Sequence, residues 1–269
     1  MKDALADANF PRDALGRTYH VALAPGQLAN RIIIVGEPTR ARRIAKHFDR
    51  VHFEYQSHRG FLTLTGTYKG VPISVIAIGM GFSMVDFFLR ECRAVVEGDM
   101  VVVRLGSCGS LDVNLPIGTV LVAGASRAVT RNYDWFVKSE LGILDEESAP
   151  YNVSLPLRGD SLLHNALSEC LQCTVPSEKH NHDFPAGLLK VQDDVTNGSA
   201  DSFYGSQGRI DPAFWDENSD WVNDLSQKHG IQTLEMETYV LNHLAMCANK
   251  RSEQDRNDRR IRTGAVQMM

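Results

Sequence analysis

Met100-Val-Val-Val-Arg-Leu-Gly-Ser-Cys-Gly-Ser110 is an apolar run that empties into Arg104, Gly106, Ser107 and Gly109. An unbroken apolar run reads as a strand buried on both faces, as in a parallel sheet. Glycine permits a sharp turn and close backbone approach, while arginine and a hydroxyl beside it offer a fork and a donor that suit an oxyanion such as phosphate. Taken alone, the stretch equally fits a core strand capped by a glycine-rich turn, with Arg104 in a structural salt bridge. The rest of the chain has to choose between these readings.

The 269 residues fit one large α/β domain, since no Pro/Gly/Ser-rich linker interrupts them; residues 1–18 read as a polar N-terminal extension. With 28 Lys+Arg against 33 Asp+Glu, the chain has no global basic field to hold a nucleic-acid backbone. No run of 18 apolar residues occurs and the N-terminus lacks a signal-peptide core, so the expectation is a soluble, cytoplasmic protein without membrane partners. Five scattered cysteines do not form a disulfide framework, and Cys170-Leu-Gln-Cys173 reads as two thiols on a helix face. His180-Asn-His182 lacks further ligands at a matched spacing and reads as a solvated turn, so no metal site is predicted.

In chain order, Arg31-Ile-Ile-Ile-Val-Gly36 is a buried strand, followed by Glu37-Pro-Thr-Arg40. Pro38 suits the first turn of a helix, which places Arg40 near free N–H groups that favour an anion. Phe61–Tyr68 and Val71–Ile78 read as a hairpin, with Ser57-His-Arg59-Gly60 as a polar corner upstream. A helix is expected over about Ser83–Glu97. Gly79-Met-Gly81 lacks the third glycine and downstream acid of a dinucleotide site, which disfavours a nicotinamide enzyme. Gly118–Val129 is a long strand and Arg131–Pro150 an irregular polar stretch; helical spacing returns at Ser161–Cys170, and Leu188–Val195 is a strand. In the loop Asp201–Arg209, an amide and a guanidinium two residues apart can pair with the carbonyl and N–H groups of a planar ring, with Phe203 available to stack. Trp221–Lys228 is amphipathic, and Ile231–Leu234 is a short strand running into Glu235-Met-Glu237, which opens a helix to about Asn249. Lys250–Arg260 reads as a solvated loop, and Ile261–Met269 as a strand on which the chain stops.

Tyr19-His20, Gly36–Arg40, Ser57–Arg59, Arg104–Gly109, Phe203–Arg209 and Leu234–Glu237 together resemble, in order and approximate spacing, the motifs of the nucleoside phosphorylase-I family, its uridine phosphorylase branch most closely. The resemblance implies a three-layer α/β/α sandwich around a mixed central sheet. It also implies a pentosyltransferase of pyrimidine salvage, catalysing reversible phosphorolysis of uridine to uracil and ribose 1-phosphate. Inorganic phosphate is then a co-substrate and no cofactor is needed. Carried over residue by residue, Gly36, Arg40, Arg59, Arg104 and Ser107 bind phosphate; His20, Met236 and Glu237 hold the ribose; Phe203, Gln207 and Arg209 hold the base. Arg104, Arg209 and Glu237 carry the chemistry. Arg59 and His20 act in this family across a subunit interface, so the resemblance implies a homodimer with shared sites, extendable to a hexamer.

This resemblance also implies a mechanism without a protein nucleophile: the glycosidic bond stretches toward an oxocarbenium ion, phosphate attacks the anomeric carbon, and Arg209 stabilises the departing uracil anion. The chain departs from the family in three ways. Serine stands at 107 where threonine is more usual. Gly60 replaces a glutamate that binds a monovalent interface cation in some bacterial relatives, so no such cation is predicted. The family also continues beyond the position of Met269, so the C-terminal end is expected to be incomplete. Alternatives are a purine phosphorylase or nucleosidase of the same fold and, from another class, a non-catalytic nucleoside-binding or storage protein. Three phosphate-directed arginines oppose a nucleosidase, and the Gln/Arg pair opposes a purine enzyme, which would want an acid to protonate a ring nitrogen.

Overall fold

A computed structural model describes residues 7–174, 190–255 and 259–269; the turn at His180 and His182 lies outside them. The chain divides into two compact units, Met1–Gly106 with Leu241–Gly264, and Ser107–Val240 with Ala265–Met269.

The first unit holds β1 (Arg31–Val35), α1 (Pro38–Ala45), β2 (Arg50–Gln56), β3 (Leu62–Tyr68), β4 (Val71–Ala77), α2 (Phe82–Arg93) and nearly all of β5 (Met100–Ser107), in the strand order β2-β3-β4-β1-β5. Strand β1 runs parallel to both β4 and β5, and β3 and β4 form the expected antiparallel hairpin. Lys69 and Gly70 both take positive φ at its turn, the backbone twist that two-residue hairpin loops require. Val35, Ala41, Ala45, Leu62, Leu64, Val75 and Ala77 form a buried cluster that packs α1 on the sheet.

The second unit holds β6 (Gly109–Ser110), β7 (Val120–Arg131), α3 (Tyr133–Glu140), β8 (Tyr151–Val153), α4 (Ser161–Thr174), β9 (Val191–Ala200), a 3₁₀ turn at Gly205–Gln207, α5 (Trp221–Gln227) and β10 (Thr233–Glu235). Strand β9 is parallel to β7 and β10, whereas β6 and β8 add antiparallel edges. Helix α6 (Thr238–Gln254) and strand β11 (Ile261–Met268) contribute residues to both units. Parallel strands joined through helices, with antiparallel additions, make the mixed α/β class expected from the sequence. Cys170 and Cys173 are exposed on α4.

Three local expectations are corrected. The stretch Arg131–Pro150 is not irregular: Asn132 caps α3 by accepting from the Trp135 N–H. Lys250–Gln254 belong to α6 rather than to a loop. Glu235 does not open that helix; it ends β10, and the first helical residue is Thr238.

Candidate active site

In the first unit, Gly36 follows β1 directly and Arg40 lies half-buried on the first turn of α1. The N–H groups there are not open to an external anion in this state. Glu37 caps the helix, Oε2 accepting from Thr39 N at 3.0 Å and Oε1 from Arg40 N at 2.8 Å. The slight burial of Glu37 works to raise its carboxyl pKa, but these N–H groups and the charge of Arg40 hold it below the usual range. Arg104 rises from β5 with only 8% of its surface exposed. Its guanidinium folds back over Gly106: a Cβ placed there would overlap Nη1 and stand 2.6 Å from Cζ. Glycine at 106 is therefore what lets this side chain lie along its own strand.

His20 and Arg59, distant in sequence, meet through one ring. The Arg59 guanidinium lies 5.8 Å from the Tyr19 ring centre, and Tyr19 is edge-on to His20 at 5.0 Å and to His58 at 5.8 Å. The His20 ring stacks on Phe87 of α2 at 3.9 Å, with 14° between planes, and its Nδ1 lies 2.6 Å from Glu91 Oε1. Sequence reading missed Glu91. Its signal was an acid one turn after Phe88, among the buried positions Val85, Phe88, Leu89 and Cys92 of α2.

In the second unit, Ser107 is exposed at the end of β5. Gln207 and Arg209 are joined, with Arg209 Nη1 donating to Gln207 Oε1 at 2.8 Å and to the Phe203 carbonyl at 2.6 Å. The guanidinium also lies 3.7 Å from the Phe203 ring centre, so Arg209 takes the ring face on which a base was expected to stack. Gly208 supports this arrangement with φ 71°, a left-handed conformation that suits glycine. Behind the turn, Asn218 donates to the carbonyls of Gly205 and Arg209, and Trp221 Nε1 donates to that of Ser206.

A second support was not foreseen. Arg131, at the end of β7, pairs with Asp216, donates to the Trp215 carbonyl at 3.0 Å, and lies 3.7 Å from the centre of the Phe136 ring. Tyr151 donates to the Asp216 carbonyl at 2.5 Å. Asp216, Tyr151 and Arg131 close around Gly205, whose missing Cβ would stand 2.9–3.1 Å from an atom of each. Burial, with the charges of Asp216, Asp201 and Glu217, pushes the Tyr151 hydroxyl up to about 12 against the opposing pull of Arg131.

The two acids of Glu235-Met-Glu237 divide their work. Glu235, 5% exposed, accepts from Asn197 Nδ2 at 2.8 Å, Ser199 Oγ, Glu237 N at 2.9 Å and Thr238 N at 3.1 Å. It is the anion that complements the start of α6. Glu237, 3% exposed, and the half-buried Met236 are carried on the backbone that Glu235 holds.

A model of the phosphorylase superfamily matches residues 30–252. The uridine phosphorylase of Thermococcus kodakarensis is 28% identical over 247 residues, 91% of this chain and 78% of that protein. A DeoD-type purine nucleoside phosphorylase of Streptococcus uberis is 32% identical over 135 residues, 48% of this chain and 56% of that one. A solved structure from the structural and catalytic analysis of two diverse uridine phosphorylases in the oomycete Phytophthora capsici superposes with a TM-score of 0.84 at 36% identity, covering 97% of this chain and 88% of that one. With a family match across most of its length, the chain belongs to the phosphorylase superfamily.

Proposed function

We infer that the chain cleaves uridine by phosphorolysis, giving uracil and ribose 1-phosphate. The observation that carries this reading is the Gln207–Arg209 pair. A carboxamide oxygen has two lone pairs, so Gln207 Oε1 can hold Arg209 and still accept the imide N–H of uracil, while its NH₂ donates to a neighbouring carbonyl. The acid of the same loop is turned inward: Asp201 accepts from Ser206 Oγ at 2.5 Å and from Arg131 N at 3.0 Å. Protonation of a purine nitrogen would want such an acid free, so its engagement supports a pyrimidine. Similarity over most of the chain to a uridine phosphorylase points the same way.

In this scheme the backbone of Gly36, with Arg40, Arg104 and Ser107, orients phosphate, and Arg59 reaches it from a partner protomer. His20 of the partner and this chain's Met236 and Glu237 hold the ribose. Phosphate oxygen attacks the anomeric carbon as the C–N bond breaks, and the electron pair leaves on uracil, where Arg209 stabilises it by a charge-assisted hydrogen bond. The scheme draws on no metal or organic cofactor. Similarity to purine nucleoside phosphorylases over part of the chain supports a second reading, phosphorolysis of inosine. An ultraviolet assay of base release from uridine and inosine, with and without phosphate, decides between them. Phosphate-dependent release of uracil is expected. Equal turnover without phosphate, or preference for inosine, would overturn the uridine reading.

A further inference from the structure

Helix α2 carries two acids with opposite surroundings. Asp86 is half-exposed and pairs with Arg90 one turn on, at 2.7 Å. Glu91 is 7% exposed on the apolar face. Burying a carboxylate is costly unless its oxygens are hydrogen-bonded, and here the partners come from the dipeptide His20-Val21. Oε1 accepts from His20 N at 3.0 Å and faces Nδ1 at 2.6 Å; Oε2 accepts from Val21 N at 2.7 Å and His20 N at 3.0 Å. A carboxylate only accepts, so Nδ1 carries the hydrogen, and in the neutral ring the lone pair is left on Nε2. Phe87 on one face and Tyr19 at the edge limit rotation of the ring, while the His20 side chain remains 24% exposed.

We propose that Glu91 is a positioning residue for the nucleoside: it holds His20 as the Nδ1–H tautomer, so that Nε2 meets the ribose 5′-hydroxyl as a hydrogen-bond acceptor. This rests on the functional reading, in which the family resemblance places His20 at the 5′-hydroxyl of the ribose. The partner of one imidazole nitrogen sets what the other can do; for metal-bound histidines, removing such a partner costs about 10–100-fold. In Glu91→Gln, the amide keeps an oxygen for the backbone N–H groups but offers Nδ1 a donor, which favours the opposite tautomer.

The test has two arms on the full-length protein. Ring-nitrogen NMR of ¹⁵N-histidine-labelled protein, with His20 assigned by His20→Gln, reads the tautomer directly. Nδ1–H is expected in the parent and a shift toward Nε2–H in Glu91→Gln. A parent ring in the Nε2–H form overturns the proposal, even if Glu91→Gln does not fold. The second arm measures KM and kcat for uridine and for 5′-deoxyuridine. Glu91→Gln should raise KM for uridine about tenfold with kcat little changed, and leave 5′-deoxyuridine unaffected. Equal damage to both substrates would mean that Glu91 merely folds the segment, and would overturn the proposal. If the parent cleaves neither nucleoside, it is the functional reading that has failed, and the NMR arm still decides the tautomer.

Discussion

Gly106→Ala is a one-methyl change that should separate activity from stability. Gly106 is buried in β5 and takes no positive φ, so alanine meets no backbone penalty there. The added Cβ would instead occupy the space of Arg104 Nη1 and stand 2.6 Å from Cζ, and the guanidinium has to leave. What moves is the far end of a flexible side chain, and alanine costs less conformational entropy than glycine. The net stability change should stay within about 1 kcal/mol, a Tm shift of roughly 2–4 °C for a protein of this size. An oriented, charged donor is worth about 3 kcal/mol in the transition state, so kcat/KM for phosphate should fall roughly 10²-fold. Initial rates of uracil release against phosphate concentration, beside calorimetry of the same preparation, read both quantities. Adding Arg104→Ala to Gly106→Ala should cost little more, because both remove one interaction. Parent-like phosphate kinetics in Gly106→Ala, while Arg104→Ala is crippled, would refute the idea that this guanidinium must lie over residue 106.

Glu235→Ala strips an acceptor from Asn197, Ser199 and the N–H groups of Glu237 and Thr238, and should cost about 2–4 kcal/mol in chemical denaturation, with Glu235→Gln milder; an unchanged midpoint would deny Glu235 its capping role. Tyr151, raised from 10.0 to about 12 in the folded chain, contributes stability that is whole below pH 10 and is lost as pH climbs through 12. That loss amounts to as much as about 3 kcal/mol, and Tyr151→Phe should flatten this part of the stability–pH curve. Under the proposed shared-site dimer, mixing inactive Arg59→Ala with inactive Arg104→Ala under subunit exchange should restore part of the activity, since a mixed dimer would have one site with both lesions and one with neither. No recovery despite proven exchange would assign Arg59 to its own chain.

Much of the fold was legible because it is written locally. The apolar runs Arg31–Val35 and Met100–Leu105, the Lys69-Gly70 turn and the glycine at 230 act over a few residues, and the strands and hairpin lie where these signals put them. Helix α3 escaped notice because none of its residues is fully buried: Trp135 and Phe136 are partly covered, but Tyr133, Val137 and the C-cap Leu141 remain exposed, so the amphipathic contrast is weak, although Asn132 and Gly142 bracket it. The site divides in the same way. Residue types able to hold an oxyanion, a hydroxylated ring and a planar base could be named from spacing and resemblance, because chemistry restricts which side chains can serve. Which groups are already engaged is settled by partners far apart in the chain: Glu91 lies 71 residues from His20 and Asp216 85 from Arg131. Even the short-range choices are of this kind. Whether the first amides of α1 await an anion or are capped by Glu37, and whether Arg104 reaches outward or lies on Gly106, depends on rotamers. By itself the sequence determined the central strands, the hairpin turn and the kinds of chemistry on offer, but it did not mark β2 or β8. Only the tertiary structure decided which donors and acceptors meet, because a hydrogen bond needs its partner within about 3 Å, and packing alone brings distant residues that close.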